Sequence, residues 1–216
     1  MLEEGKYFIH LEGLDLAGKS SLAHYIKDNS KYSWKINNNQ LTSKNIIYEF
    51  TNQLGKEEMY DDEIYGYLYS IALMADIKKF NQTENIIQDS TLLLRSLNYH
   101  TNCGNSKIVN ILLDLIEKHP KPDASIYLTA NIETRIKRLQ KVMKDNPNGV
   151  SKNDMLILND PNEFITRDKK LQLLSQKYFG SVIIDTSYLT YEEIVEKISN
   201  IIGLDISGDT KKLCKK

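Results

Sequence analysis

A chain of 216 residues, 41% hydrophobic and 26% charged, has the size and balance of one globular domain with a core to bury. Its formal net charge of −1, from 28 Lys and Arg against 29 Asp and Glu, excludes the basic excess expected of a general nucleic-acid binder. No run approaches the roughly 18 apolar residues of a membrane span, and the opening Met-Leu-Glu-Glu is not the positive-then-apolar start of a secretory signal. Two cysteines, Cys103 and Cys214, build neither a disulfide framework nor a zinc site by themselves, so a cytoplasmic protein with reduced thiols is expected.

The first element is Tyr7-Phe8-Ile9-His10-Leu11, a short apolar, β-prone run with the pattern of a buried central strand. A helix starts near Lys19 and runs through Leu22, Ala23, Tyr25 and Ile26. Residues 29–45, rich in Asn, Ser and Lys, read as irregular, with a short strand near 32–36. Helical spacing returns at Ile46, Ile47, Phe50 and Leu54. A longer helix covers about 61–80, where Ile64, Tyr67, Leu68, Ile71, Leu73, Met74 and Ile77 make a broad apolar face that could serve a core or an interface. Residues 84–89 form a second buried strand ending on a carboxylate. Leucines 92 to 97 open another helix, and 108–119 form one more, stopped by Pro120 and Pro122. The run 124–128 is again a strand, 132–144 a basic amphipathic helix, and 145–149 a turn-rich break. A helix over about 162–178, a strand at 182–185 and a helix over 191–202, with Thr190 and Glu193 placed as a capping box, close the sequence.

Strands alternating with helices predict an α/β domain: a parallel five-stranded sheet flanked by helices, right-handed crossovers, and a ligand site at the carboxyl ends of the strands. One domain is expected over 1–204, with a mobile lid at about 139–158 and a flexible tail at 205–216. Nothing in the sequence repeats at a 20-to-50-residue period.

Gly13-Leu14-Asp15-Leu16-Ala17-Gly18-Lys19-Ser20 satisfies G-x-x-x-x-G-K-[ST] between a strand and a helix. Such a loop turns successive backbone N–H groups toward phosphate oxygens, and the helix that follows adds its positive end. Lys19 would neutralise the β- and γ-phosphates, and Ser20 would give one oxygen to an octahedral magnesium. A P-loop NTPase sandwich binding ATP and Mg2+ is therefore expected, with residues 13–21, through Ser21, as the cradle. No guanine-reading N-K-x-D occurs, and a single acid, Asp89, ends a suitable strand where motor-type ATPases carry two. A small chain with a flap between basic helices fits a phosphoryl-transfer kinase, which must exclude water from the γ-phosphate.

The segment from Phe8 to Ser21 resembles the F-x-x-x-E-G-x-D-G-A-G-K-T-T opening of thymidylate kinases and, more distantly, that of deoxynucleoside kinases. Ile86-Ile87-Gln88-Asp89 followed by Ser96-Leu97-Asn98-Tyr99-His100 is similar to that family's V-I-x-D-R strand and its S-x-x-Y-Q helix. Pro122-Asp123 with the following strand, and Arg135-Ile136-Lys137-Arg138, are similar to its P-D strand and lid helix. The resemblance implies transfer of the γ-phosphoryl of ATP to a deoxynucleoside monophosphate of the dTMP type. The alternatives are an unphosphorylated deoxynucleoside acceptor or a degenerate nucleotide-binding regulator.

It further implies that Glu12 lies near the metal or the reacting oxygen, unless it is a strand-end acid satisfied by backbone amides. Asp15 would contact the acceptor sugar, and Asp89 would hold metal-bound water or orient an arginine. Ser20 and Asp89 would be the metal residues, and Lys19, Glu12, Asp15, Asp89 and Arg138 the catalytic ones. Arg135, Arg138 and Lys141 would supply lid cations to the triphosphate or form a solvated basic face. Arg95, Tyr99 and His100 would join Asp15 around the acceptor, Tyr99 by stacking on a base or by filling core. Family members are commonly dimers, so a homodimer is a further expectation. The departures concern the acceptor: Ser90 replaces the arginine after Asp89, Ile77 the arginine of an A-D-R sequence, and no R-E-P-G segment follows the second strand. Leu16 replaces a small or basic loop residue. Arg95, Lys78 or Lys79 could take over one acceptor contact. His10 and His24 read as packing or surface residues.

Overall fold

Near-continuous apolar runs with no alternation cannot face water on one side, and here they form the middle of a parallel sheet. In the computed structural model, which describes residues 6–146, 150, 152–203 and 205–207, strands β1 (Phe8–Glu12), β2 (Trp34–Asn38), β3 (Asn85–Asp89), β4 (Ala124–Thr129) and β5 (Val182–Asp185) lie in the order β2-β3-β1-β4-β5, all parallel. All five residues of β1 are buried. Register pairs Leu11 with Asp89 and Glu12 with Tyr127, so the carboxyl ends of β1, β3 and β4 lie side by side. From β1 the chain crosses to β2 and returns to β3 on one side of β1, then passes to β4 on the other. That reversal is the switch point where open parallel sheets hold their ligands.

Helices α1 (Lys19–Asn29) and α9 (Tyr191–Ile202) cover one face, where Leu22, Ile26, Ile194 and Ile198 pack on Ile9, Leu11, Ile126 and Leu128. On the other face lie α3 (Asp62–Lys79), α4 (Leu92–Asn102), α5 (Ser106–Lys118) and α8 (Pro161–Phe179), with Leu73, Leu93, Leu97 and Leu112 in one cluster and Leu94, Tyr127 and Leu171 in another. Helix α2 (Ile46–Lys56) packs on α3, and α6 (Ile132–Asp145) leads past β4 to the edge of the site. This is the three-layer sandwich expected.

Three details differ from expectation. A helix, α7 (Lys152–Asn159), occupies part of the stretch read as lid, because Ile157 is fully buried against Leu139 and Phe164. Residues 147–149 and 151 of that stretch lie outside the described residues. Residues 205–207, read as tail, hold a core residue: Ile206 is 1% exposed in the main core and its N–H bonds Ser199. Residues 208–216 lie outside the described residues. The strand read near 32–36 runs from 34 to 38. The capping box of α9 is present as read, with Thr190 and Glu193 satisfying each other's backbone N–H groups. His10 is buried and bonds Ser125 Oγ at 2.8 Å, whereas His24 is exposed.

Candidate active site

The loop at 13–20 connects β1 to α1 and is held from behind. Gly13 sits at φ 143, and a Cβ on it would stand 2.2 Å from the Leu128 carbonyl oxygen, so neither its conformation nor its space admits a side chain. From Gly13 to Ala17, each of five successive carbonyl oxygens accepts a hydrogen bond from a different side chain. Arg95 donates to Gly13 at 2.8 Å, Lys19 to Leu14 at 3.1 Å and Arg135 to Asp15 at 2.7 Å. Arg138 donates to Leu16 at 2.8 Å and Thr186 Oγ1 to Ala17 at 3.0 Å. With the carbonyls engaged outward, the loop amides other than those of Gly13 and Ala17, which bond Glu12 and the Leu14 carbonyl, are left for an anion. Gly18, at φ 95, is the residue before α1, whose first residue is Lys19.

Leu16 is the oddity of the loop. It adopts φ 63, a left-handed conformation that costs a branched side chain about 1–2 kcal/mol. Its side chain packs with Leu14 on the cluster of Leu139, Ile157 and Phe164, so the strain is offset by contact with the helices that frame the site.

Lys19 is 8% exposed. Burial and the charge of Arg95 lower its pKa, against the pull of Glu12, Asp15 and Asp89. Ser20 Oγ donates to Asp89 Oδ2 at 2.5 Å, which brings together the two residues read as the metal pair. A hydroxyl, a carboxylate and phosphate oxygens are the hard donors magnesium takes, and Mg2+ sites use one or two protein oxygens rather than an all-protein cage. Among the described residues no cluster of three or more His, Cys, Asp or Glu could hold a metal. Ser21 is exposed one residue further along α1.

Glu12 is fully buried at the end of β1. Its Oε1 accepts from Gly13 N–H at 3.0 Å and from Arg95 at 3.3 Å, and its Oε2 accepts from Thr91 N–H at 3.0 Å. Burial alone would raise its pKa, but Arg95, His10 and Lys19 outweigh that and hold it at about 2. Of the two roles open in the sequence, the geometry is that of the strand-end acid satisfied by amides, and it ties the loop to the start of α4.

The lid cations separate. Arg138 is half-buried, bonds the Leu16 carbonyl, Thr186 Oγ1 and the Thr186 carbonyl, and has its pKa lowered chiefly by burial. Arg135, expected to touch the triphosphate, does not: it is 0% exposed, and its nitrogens are committed to the carbonyls of Ala130 and Asp15, to Thr129 Oγ1 and to Asp168 Oδ2, with Phe164 under its guanidinium at 5.0 Å. A buried guanidinium with four of its five N–H donors in use is a strut, and its reach ends at the back of the loop. Lys141 is exposed on α6.

Two clefts meet the loop at its two ends. One, of about 290 Å³, touches Ala17, Gly18, Arg138, Thr186 and Tyr191. The other, of about 380 Å³, is bounded by Leu14 and Asp15 of the loop, Arg95 and Tyr99 of α4, and Arg167 and Lys170 of α8. Beside the second, across Arg95 and Tyr99, a hollow of about 520 Å³ is lined by Tyr60, Tyr65, Tyr69 and His100. Asp15 shares the second cleft with Arg95 and Tyr99, and these two share the hollow with His100.

Arg95 Nη2 also donates to Ser90 Oγ at 3.1 Å, and its charge is favoured by Glu12, Asp15 and Asp89 despite burial. Ser90 holds φ 68 and is 3% exposed. Ile77 is partly buried against the cluster of Phe8, Leu41 and Ile86, and Lys78 and Lys79 are exposed at the end of α3; neither lysine lines these clefts. Tyr99 is partly exposed; its hydroxyl donates to Asp62 at 2.6 Å, and that bond raises its pKa. His100 is buried, its pKa is lowered by that burial, and its Nδ1 has no partner among the described residues.

Sequence reading missed Thr186, Asp168, Arg167 and Lys170. Thr186 follows β5 in a loop with no motif. The α8 residues carry a signal only in hindsight: Phe164, Arg167, Lys170 and Leu171 share one face at helical spacing.

No family model matches the chain. In sequence it is similar to cytidylate kinases of Clostridium botulinum, 35% identical over 79 residues, which is 37% of this chain and spans 36% of the length of those relatives. In structure it is similar to the thymidylate kinase of Candida albicans, with a TM-score of 0.61 at 19% identity over 92% of this chain and 91% of that one. The deoxyadenosine kinase of M. mycoides with bound dATP superposes with a TM-score of 0.53 at 20% identity over 91% and 99%. The thymidylate kinase of Ehrlichia chaffeensis gives 0.56 at 13% over 90% and 99%. At such identities the likeness is one of fold, and the fold is that of the P-loop nucleotide kinases.

Proposed function

We propose that the chain transfers the γ-phosphoryl of ATP, with magnesium, to a deoxynucleoside monophosphate of the dTMP type. The observation that carries this reading is a phosphate-binding loop with a cleft at each end, one for a donor nucleotide and one for an acceptor. The cleft at Ala17, Gly18 and Tyr191 suits the adenine of ATP. Loop amides and Lys19 bind the β- and γ-phosphates, Lys19 exchanging the Leu14 carbonyl for phosphate oxygens. Magnesium, when bound, neutralises charge developing on the phosphates. Ser20 and Asp89 would hold it, Arg138 would add positive charge at the loop, and Asp15 would orient the acceptor sugar. The tyrosine-lined hollow with His100 would take the base, since a neutral imidazole offers one donor and one acceptor.

A monophosphate is favoured over a nucleoside by the chemistry of the acceptor oxygen. A phosphate oxygen is already anionic, whereas a hydroxyl needs a base beside it. Glu12, held at about 2 and bound to two amides, is a poor base. The deoxynucleoside reading draws support from Ser90, which stands where an arginine would meet a phosphate, and from the fold likeness to a deoxyadenosine kinase. ADP release measured with dTMP, dUMP, dCMP, dGMP and the matching nucleosides decides. Turnover with nucleosides alone would replace the first reading by the second. A flat panel with intact ATP binding would leave a nucleotide-binding regulator. Lys19→Ala should abolish ADP release with the melting temperature kept; retained turnover would remove the loop from the mechanism.

No helix among the described residues is long and apolar enough to cross a membrane. A cytoplasmic setting accords with ATP use and with the exposed free thiol of Cys103. Exposed Ile64, Ile71 and Met74 on α3 support a homodimer, which sedimentation at micromolar concentration would test.

A further inference from the structure

We propose that Arg167 and Lys170 of α8, which line with Arg95 the cleft beside Leu14 and Asp15, bind the phosphate of the acceptor. This assignment rests on the kinase reading above and names the groups that make a phosphorylated acceptor the preferred one. The three cations line one cleft from two helices: Arg95 from α4, Arg167 and Lys170 from the exposed turn of α8. Arg167 donates through Nε to Glu163 at 2.8 Å, and its terminal nitrogens have no partner among the described residues. Lys170 makes one bond, to Asn102 Oδ1 at 2.8 Å, so two of its three N–H donors are open. Arg95 Nε is buried without a partner, an unmet donor at the edge of the same space. Three cations face two carboxylates there, Asp15 and Glu163, and Glu163 is already engaged by Arg167. Donors converging from two helices on a tetrahedral anion are the arrangement that selects phosphate over a neutral hydroxyl.

The support beneath these side chains separates them from ordinary surface charges. Asp168, between them in sequence, is bonded by Tyr127 Oη at 2.7 Å, Thr129 Oγ1 at 3.0 Å and Arg135 at 2.9 Å. Asp160 caps the helix through Glu163 N–H, and Phe164 lies against Arg135. The turn carrying Arg167 and Lys170 is therefore fixed to β4 and to the loop itself.

Calorimetric titration tests the assignment with dTMP, dCMP, dAMP and dGMP, each beside its own nucleoside, on the full chain and on the Arg167→Ala/Lys170→Ala double variant. The monophosphate that binds best should weaken about tenfold or more in the variant, with its nucleoside and ATP unchanged. Arg167→Lys with Lys170 intact should recover part of the loss. Equal monophosphate affinity in both proteins would overturn the assignment, as would a nucleoside weakened by the same factor, or a parent chain that binds no monophosphate better than its nucleoside. ADP release, read on the same samples, reports separately on the kinase reading. Absent turnover with the affinity difference intact rejects the reaction and keeps the phosphate site; intact turnover with no difference does the reverse.

Discussion

Leu16 shows how little a residue's type says about its cost. Its φ of 63 would ordinarily call for glycine, and its side chain is kept by packing on Leu139, Ile157 and Phe164. Truncation to alanine loses that packing and keeps the strain, while truncation to glycine loses the packing and relieves the strain. Leu16→Gly should therefore unfold at higher urea than Leu16→Ala by about 1 kcal/mol, the reverse of the usual order for these residues. The same scale separates two arginines that spacing made equivalent. Breaking the buried Arg135–Asp168 pair with Arg135→Ala should cost about 3–5 kcal/mol in denaturant titration. Arg138→Ala should leave the unfolding midpoint within about 1 kcal/mol and raise the KM for ATP instead. A helical i, i+3 relation places two cations along one side of α6, but which of them is covered depends on Phe164 and Asp168, some 30 residues later in the chain, and no local pattern carries that.

Between elements, α3 and α4 meet at Gly66. A Cβ there would fall 2.7 Å from His100 Cε1 and 3.0 Å from Ile108 Cγ1, so helix contact this close depends on glycine. Alanine in mid-helix normally stabilises by about 0.5–1 kcal/mol. At this position overpacking of about 1–3 kcal/mol should win, so Gly66→Ala should lower the melting temperature and shift the affinity of whichever base occupies the hollow. Element existence was legible because long apolar faces and short buried runs have distinct periods, as for α3 and β1. Helix α7 was not, since Met155, Leu156 and Ile157 acquire an apolar face only against α6 and α8. The turn-rich residues preceding it made a break the simpler reading.

The molecule as a whole should be acid-sensitive, with two groups pulling the same way. Glu12 titrates at about 2 against an ordinary 4.5, so its contribution is complete above pH 4.5 and is lost as pH falls toward 2, on the order of 3 kcal/mol. His119 is held neutral, its pKa lowered to about 4 by burial, so an unfolded chain takes its proton first and stability begins to decline below pH 6.5. Glu12→Gln should flatten the fall in urea midpoint between pH 5 and pH 3; an unchanged slope would remove Glu12 as its cause. The parallel sheet and the loop were readable from strand–helix alternation and one eight-residue motif, whereas the cleft beside Leu14 and Asp15 was not, because its cations lie on α4 and α8 and meet only once both helices pack on the sheet. The five anchored carbonyls carry this further. Their donors come from α1, α4, α6 and the loop after β5, so the cradle takes its shape from the adjoining helix and three distant segments before any nucleotide arrives. Its amides that meet no acceptor should exchange readily with deuterated solvent in the empty protein and slow sharply when a nucleotide binds, and Thr186→Ala, which frees the Ala17 carbonyl, should weaken that protection without unfolding the chain.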